Sequence, residues 1–191
     1  MLNCIVVMGR PGSGKSEIGK RVATLTGWHY ISTGDLARRL IEDKEWLRRG
    51  DLAPEEDLRD LFKAEYEARG TEGCVIDGMP RTVDQVGFLL DLIPAESILA
   101  AYVDVPVFVA YGRLRQRGRE DDIKDEVLYK RMGVYEEHTV PALLMLTSRC
   151  HTVMLDGLEP PDRNARRLVE CVFRGCKNGT FAKGIRPCWR S

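Results

Sequence analysis

The sequence predicts an α/β fold: a five-stranded parallel sheet covered by helices on both faces. Three observations carry this. Short apolar runs alternate with longer helical segments along nearly the whole chain. The first run, Leu2–Met8, passes directly into the glycine-rich stretch Gly9–Ser16, "GRPGSGKS". A second run, Gly73–Asp77, ends on an acid followed at once by Gly78. Near-continuous apolar runs suit strands buried between two helix layers, and strand–helix alternation implies parallel order. The right-handed crossover rule then fixes most of the topology.

Each element follows in turn. Leu2–Met8 reads as the first strand and Ser13–Thr26 as the first helix. His29–Ser32 is a short strand. Asp35–Asp43 and Pro54–Arg69 read as helices, the second opening with Pro54 and acids in its first turn. Gly73–Asp77 is the third strand, and the helix Val83–Leu92 is stopped by Pro94. Ser97–Val103 is the fourth strand and Phe108–Arg117 the next helix. After the charged segment "RGREDD" come two helices, Asp125–Glu137 and Pro141–Ser148, separated at the proline. His151–Leu155 is the last strand and Asp162–Phe173 the last helix. Residues 175–191 are rich in Gly, Lys and Arg, show little periodicity and read as a tail.

A chain of 191 residues is one domain, or one domain with a small inserted lobe. Its 29 Lys and Arg balance its 29 Asp and Glu, whereas a nucleic-acid scaffold is usually basic. Any anion site must therefore be local, and no nucleic-acid partner is expected. No apolar run approaches the roughly 18 residues of a spanning helix, so no membrane partner is expected. The opening apolar run has no basic stretch ahead of it and does not read as a signal peptide. The six cysteines are scattered and form no C-x-x-C, which points to a reducing, cytoplasmic compartment.

The spacing Gly9, four residues, Gly14, Lys15, Ser16 fits the phosphate loop G-x-x-x-x-G-K-[ST], with the required strand before it and helix after it. Glycine lets successive backbone N–H groups turn inward toward an anion. The following helix adds its positive end. Lys15 supplies a mobile charge for the β- and γ-phosphates, and Ser16 a hydroxyl for phosphate or Mg²⁺. The competing reading is a glycine-rich turn with a solvated lysine. On the phosphate-loop reading, the expected fold class is the three-layer P-loop NTPase fold. ATPases, GTPases and small-molecule kinases all use such a loop.

Two further stretches mark a second anion site. "ISTGDLARR" places Thr33 and Gly34 at a strand-to-helix turn, with Arg38 about one turn on. "VIDGMPRTVDQ" ends a strand on Asp77, followed by Pro80 and Arg81, with Gln85 one helical turn further. An acid at the C-terminal end of a buried strand sits at the ligand edge of an α/β sheet and can orient Mg²⁺ through water. Arg38 and Arg81 suit a bidentate grip on a phosphate, and the amide of Gln85 suits a base edge. Read singly, Asp77 could be a helix cap and the arginines surface charges.

With these motifs in view, the chain resembles the adenylate kinases, within the nucleoside monophosphate kinase family. "GRPGSGKS", "ISTGDL", "VIDGMPRTVDQ", "RGREDD", "YKRMGVYEEHTVP" and "LDGLEPP" occur in the family's order, from about Leu2 to Phe173. The resemblance implies transfer of the γ-phosphoryl group of ATP to AMP, giving two ADP, with Mg²⁺. It implies a kinase domain over 1–174, with a nucleoside-monophosphate lobe at 33–69, a short lid at 117–124, and the tail outside. Gly12, Ser13, Gly14, Lys15, Ser16 and Glu17 would wrap the ATP phosphates. Thr33, Arg38, Gly78, Met79, Arg81 and Gln85 would hold AMP, with Gln85 on the adenine edge. Asp51, Leu52 and Ala53 would line the AMP base through backbone, and Pro80 matches a proline that the family holds cis. Arg113 would lie over the ATP adenine, and Arg117, Arg119 and Arg131 would converge on the phosphates. Arg117 would serve the ATP side, while Arg119, which belongs to the lid, and Arg131 would also complete the AMP side on closing. Lys15, Arg81, Arg117, Arg119 and Arg131 are the expected catalytic set. Asp121 and Asp122 would anchor the lid. Glu159, in the loop that receives the ATP adenine, would contribute backbone. Ser16 and Asp77 would hold Mg²⁺, chiefly through water. No cysteine cluster marks the lid, so no structural zinc is expected. The resemblance implies a monomer.

The chain departs from the family pattern in four places. The family usually reads Gly-Lys-Gly-Thr-Gln, where this chain has Gly14-Lys15-Ser16-Glu17-Ile18. An acid beside the phosphates predicts weaker ATP binding or altered Mg²⁺ placement. Met79 replaces a usual Phe. The lid is shorter than in short-lid members. The tail lies outside the match. Thr33 with Thr82 and Gln85 favours AMP over pyrimidine nucleotides. The alternatives are a kinase for another nucleoside monophosphate such as UMP or CMP, and a catalytically weak nucleotide-binding regulatory protein.

Overall fold

The computed structural model describes residues 1–119 and 124–174. Five parallel strands lie in the order β2-β3-β1-β4-β5: β1 Cys4–Met8, β2 His29–Ser32, β3 Cys74–Asp77, β4 Ile98–Asp104 and β5 His151–Asp156. Side chains alternate across each strand, so β1 feeds two separate cores. Cys4, Val6 and Met8 pack with Ile31, Ile76 and Ala100 beneath α2 (Thr33–Leu40), α4 (Glu55–Arg69), α5 (Val83–Leu92) and α8 (Val140–Arg149). Ile5 and Val7 pack with Val75, Leu99 and Val153 beneath α1 (Lys15–Thr26) and α9 (Pro161–Arg174). Every residue of β1 and β3 is buried, which is why both read as unbroken apolar runs.

The register places the site. Val7 of β1 pairs with Asp77 of β3 on one side and Ala101 of β4 on the other. Asp77 therefore stands at the C-terminal edge, beside the strand that runs into Gly9. Ser32 of β2 is level with Asp77, which brings the start of α2 to the same edge.

Several expected boundaries move. The helix expected over 35–43 is α2, which ends at Leu40, and a separate short α3 follows at Glu45–Arg49. Five residues are too few to show a helical period, and α3 is held instead by its buried Trp46 and by Gly50 in the left-handed region. The helix α6 starts at Val107, directly after Pro106, and runs to Arg117. The expected break before Pro141 is absent. The helix α7 (Asp125–Val134) continues through a π-helical turn at Tyr135–Thr139 into α8. In that turn the Val140 N–H reaches back five residues to Tyr135. The wider turn leads the backbone into Pro141, whose missing N–H could not close an ordinary α-turn.

Helices α2 to α4 span the segment that the resemblance assigns to a nucleotide lobe. Their anchor in the core is Phe62, fully buried between Tyr66 and Phe88 at centroid distances of 6.1 Å each. Truncating Phe62 to Ala should cost about 3–5 kcal/mol, read as a lower urea midpoint at unchanged slope.

Candidate active site

The loop between β1 and α1 is built for a backbone that curls. Gly12 and Gly14 have φ of 81° and 91°, a region that favours glycine. A Cβ on Gly12 would stand 2.3 Å from the Ala110 carbonyl oxygen, so the loop presses against α6. Arg113 of α6 seals the far side. Its guanidinium donates to the carbonyls of Ser13 at 3.3 Å and Gly157 at 2.9 Å. Gly157 in turn donates its N–H to Asp104 at the end of β4, and Asn164 of α9 caps the Asp156 carbonyl. Arg113 thus joins the phosphate loop to the loop that follows β5. Glu159 lies in that second loop, and its side chain turns to Arg163 at 3.2 Å.

Lys15 sits inside the cleft, its ammonium 3.4 Å from the Arg10 carbonyl. Burial lowers its pKa from 10.5 to about 8. The charges of Arg81, Arg131 and Arg117 push the same way, and Asp77 opposes them. The carboxylate of Asp77 is buried. Its Oδ2 accepts from Ser16 Oγ at 2.5 Å and from Tyr30 OH at 2.8 Å. Its Oδ1 is buried without a hydrogen-bond partner among the described residues. Burial and the neighbouring Asp77 charge raise the Tyr30 phenol far above its ordinary range, so it remains a fixed donor. Sequence reasoning missed Tyr30, because an aromatic in a short strand looks like core.

The AMP-side residues of the sequence reading also meet here. Thr33 is buried, and its hydroxyl donates to the Asp77 carbonyl at 3.3 Å. Gly78 has φ of 93°, and a Cβ there would meet Thr33 Oγ1 at 2.7 Å. The Met79–Pro80 peptide is cis and Met79 is buried. Arg81 Nε donates to the Gly78 carbonyl at 2.8 Å. Arg38 pairs with Asp35 at 2.6 Å, and although partial burial works the other way, that guanidinium holds the Asp35 carboxyl below its ordinary range. Gln85 is buried and lies one turn along α5 from Arg81. Asp51 faces two cations, Lys130 at 2.5 Å and Arg49 at 3.4 Å.

Two open hollows adjoin. One, of about 950 Å³, is walled by Lys15, Ser16, Asp77, Arg81, Arg117 and Arg119. The other, of about 510 Å³, is walled by Thr33, Trp46, Leu52, Ala53, Leu58 and Gln85. Arg38, Arg81 and Arg131 belong to both walls. Asp121 and Asp122, expected to anchor the lid, lie outside the described residues. At the start of α7, Asp125 accepts from Tyr111 OH at 2.7 Å and pairs with Arg115. Sequence reasoning gave Arg115 no role.

Glu17 does not face the cleft. Its side chain is exposed and pairs with Arg21 at 2.8 Å, which also pairs with Asp162 at 2.6 Å. Helical geometry turns position 17 away from Ser16, and Arg21 sits one turn below it. The charge anticipated next to the phosphates is thus directed elsewhere and neutralised. Arg10 was also passed over. Its side chain is buried over the Tyr135 ring at 5.7 Å and lies 3.7 Å from Glu136, pinning the phosphate loop to the π-turn.

A phosphate loop facing a second cation-walled hollow across one sheet edge defines a P-loop phosphotransferase. A family profile described as an AAA domain matches residues 8–128. The adenylate kinase of Mycolicibacterium smegmatis is 38% identical over 151 residues, covering 73% of this chain and 83% of that protein. The adenylate kinase of Kocuria rhizophila is 31% identical over 186 residues, covering 89% and 98%. That of Mycobacterium sp. (strain MCS) is 36% identical over 182 residues, covering 89% and 99%. The chain belongs to the adenylate kinase family, within the P-loop proteins matched by the AAA-domain profile.

Two outcomes follow from this geometry. Lys15 is charged below about pH 8 and neutral above it, so ATP affinity should fall as pH rises through that value. The loss should disappear in Lys15→Arg, which stays charged, and calorimetric titration between pH 6.5 and 9.5 checks both. Glu17→Gln should change the ATP dissociation constant by less than about twofold, because an exposed, paired charge contributes little.

Proposed function

We propose that this protein moves the γ-phosphoryl group of ATP to AMP, giving two ADP, with the residues named above in the roles that follow. The observation that carries the reading is the shared wall. Arg38, Arg81 and Arg131 border both hollows, so anions bound on either side meet at the same cations.

The ATP phosphates lie along the loop Gly12–Gly14 and the start of α1, against Lys15. AMP fills the second hollow, its phosphate toward Arg38 and Arg81 and its base toward Gln85. An oxygen of the AMP phosphate attacks the γ-phosphorus as the bond from that phosphorus to the β-phosphate's bridging oxygen breaks. The acceptor oxygen is already anionic, so positioning suffices and no general base is required. Lys15, Arg81, Arg117, Arg119 and Arg131 neutralise the charge that spreads over the moving group. The segment 117–124 acts as a short lid that excludes water, a competing acceptor.

The residues also fit Mg²⁺. Asp77 Oδ1, without a hydrogen-bond partner among the described residues, and the adjacent Ser16 hydroxyl offer hard oxygen ligands at the edge of the phosphate loop, directly or through water. Mg²⁺ would draw charge from the β- and γ-phosphates. Tyr30 holds the other oxygen of Asp77 and so orients the carboxylate. We place the protein in the cytosol, as a monomer; the free thiols of Cys4, Cys74, Cys150 and Cys171 suit a reducing compartment.

The test is ADP formation from ATP and Mg²⁺ with AMP, CMP, UMP, GMP and dAMP in parallel, beside a no-acceptor control. Turnover should be fastest with AMP and negligible without acceptor. Preference for CMP or UMP would overturn the reading of the base hollow. Arg81→Ala should weaken AMP binding far more than ATP binding, and equal loss of both would overturn the two-site assignment.

A further inference from the structure

Gln85 does not stand alone at the base hollow. Its Oε1 accepts the Arg81 backbone N–H at 2.7 Å, and its Nε2 donates to Glu55 Oε2 at 2.7 Å. Glu55 opens α4 and meets Gln85 of α5 directly. It is held in turn by Arg59, whose Nε donates to Glu55 Oε1 at 2.8 Å. The Arg59 guanidinium lies 5.4 Å over the ring of Phe88, which packs edge-on against the buried Phe62. A chain of contacts therefore runs from the core to one side-chain amide.

That chain removes a freedom that a glutamine ordinarily has. An amide can turn over, exchanging its oxygen and nitrogen at little cost in shape. Here each end faces a partner that accepts only one assignment. A backbone N–H needs the oxygen, and a carboxylate needs the nitrogen. Turning the amide over would set its oxygen against Glu55 and its N–H groups against the Arg81 N–H. Both contacts are repulsive, and each leaves a polar group without its bond. In the fixed orientation, one oxygen lone pair and one N–H remain for a ligand. Side by side, they complement an edge that presents an amino donor beside a ring-nitrogen acceptor. Adenine has that edge. Hypoxanthine carries an oxo acceptor beside a ring N–H, the reverse order, and is otherwise the same base.

We infer that Glu55, locked by Arg59, is a positioning residue that fixes the Gln85 amide and thereby sets the preference for a 6-amino over a 6-oxo purine monophosphate. This rests on the reading of the second hollow as the AMP site. Glu55 acts through Gln85, not by contact with the reacting atoms.

The experiment compares kcat/KM for AMP and for IMP, at saturating ATP and Mg²⁺, in the wild type, Glu55→Ala, Glu55→Gln and Arg59→Met. Glu55→Ala should lower the AMP-to-IMP ratio about tenfold, the scale of one buried polar mismatch, through KM with little change in kcat. Glu55→Gln keeps an oxygen that can accept from Nε2 and should hold the ratio within about threefold of wild type. Arg59→Met loosens Glu55 without removing it, and should lower the ratio by an intermediate factor. If Glu55→Ala does not fold, Arg59→Met and Glu55→Gln still decide. KM values for AMP and IMP that rise together, at an unchanged ratio, would mean that Glu55 only braces α4 and would overturn the inference. A wild type that phosphorylates AMP no better than IMP would overturn it as well. A wild type that phosphorylates neither would instead overturn the reading of the hollow itself.

Discussion

The buried carboxylate of Asp77 is the constraint on which the cleft depends. Lys15, Arg81, Arg117 and Arg131 converge on one space, and their mutual repulsion is one reason that the Lys15 pKa falls to about 8. Asp77 opposes that fall, and it is fixed from two sides, by Ser16 and by Tyr30. Such a gathering of cations stores unfavourable charge, which a polyphosphate bound as proposed would relieve. The repulsion among these cations is thus the same electrostatics that would favour an anionic substrate in the proposed site. The fold must hold this arrangement open, which explains why the carboxylate sits at the end of a fully buried strand rather than on a loop.

The rigidity comes from the sheet and the seams beside it. Pairing of Val7 with Asp77 locks the acid next to the phosphate loop. Arg113 ties that loop to Gly157, and Arg10 ties it to the π-turn. These contacts lie on the proposed ATP side. The proposed AMP side is assembled differently, from helices α2 to α4 and α5 packed into one core that contains Phe62. One half of the site is therefore strand-mounted and the other helix-mounted, which suits a fixed donor and an acceptor that must enter and leave.

Glu17 shows how local context can mislead. Read in line with Lys15 and Ser16, it is an acid among phosphate ligands. In the helix it faces Arg21, in the next turn, and solvent. The departure from the family pattern thus carries its own compensation four residues away, a pairing that spacing alone could have suggested.

The sequence by itself determined the strand order's ingredients, the phosphate loop, and the acid and arginines of the proposed second site. All of these are local: a run of apolar residues, glycines at fixed offsets, a charge at a strand end. It missed the short helix α3 and the continuity of α7 with α8, because five residues carry no period and a proline ordinarily ends a helix. Only the tertiary structure decided who partners whom. Tyr30 and Asp77 are 47 residues apart, and Glu55 and Gln85 are 30 apart. Nothing in either neighbourhood marks these pairs, since an aromatic in a strand reads as core and an acid at a helix start reads as a cap. Hydrogen bonds between distant elements exist only once packing has brought their ends within 3 Å, and that proximity is a property of the assembled layers, not of any segment within them.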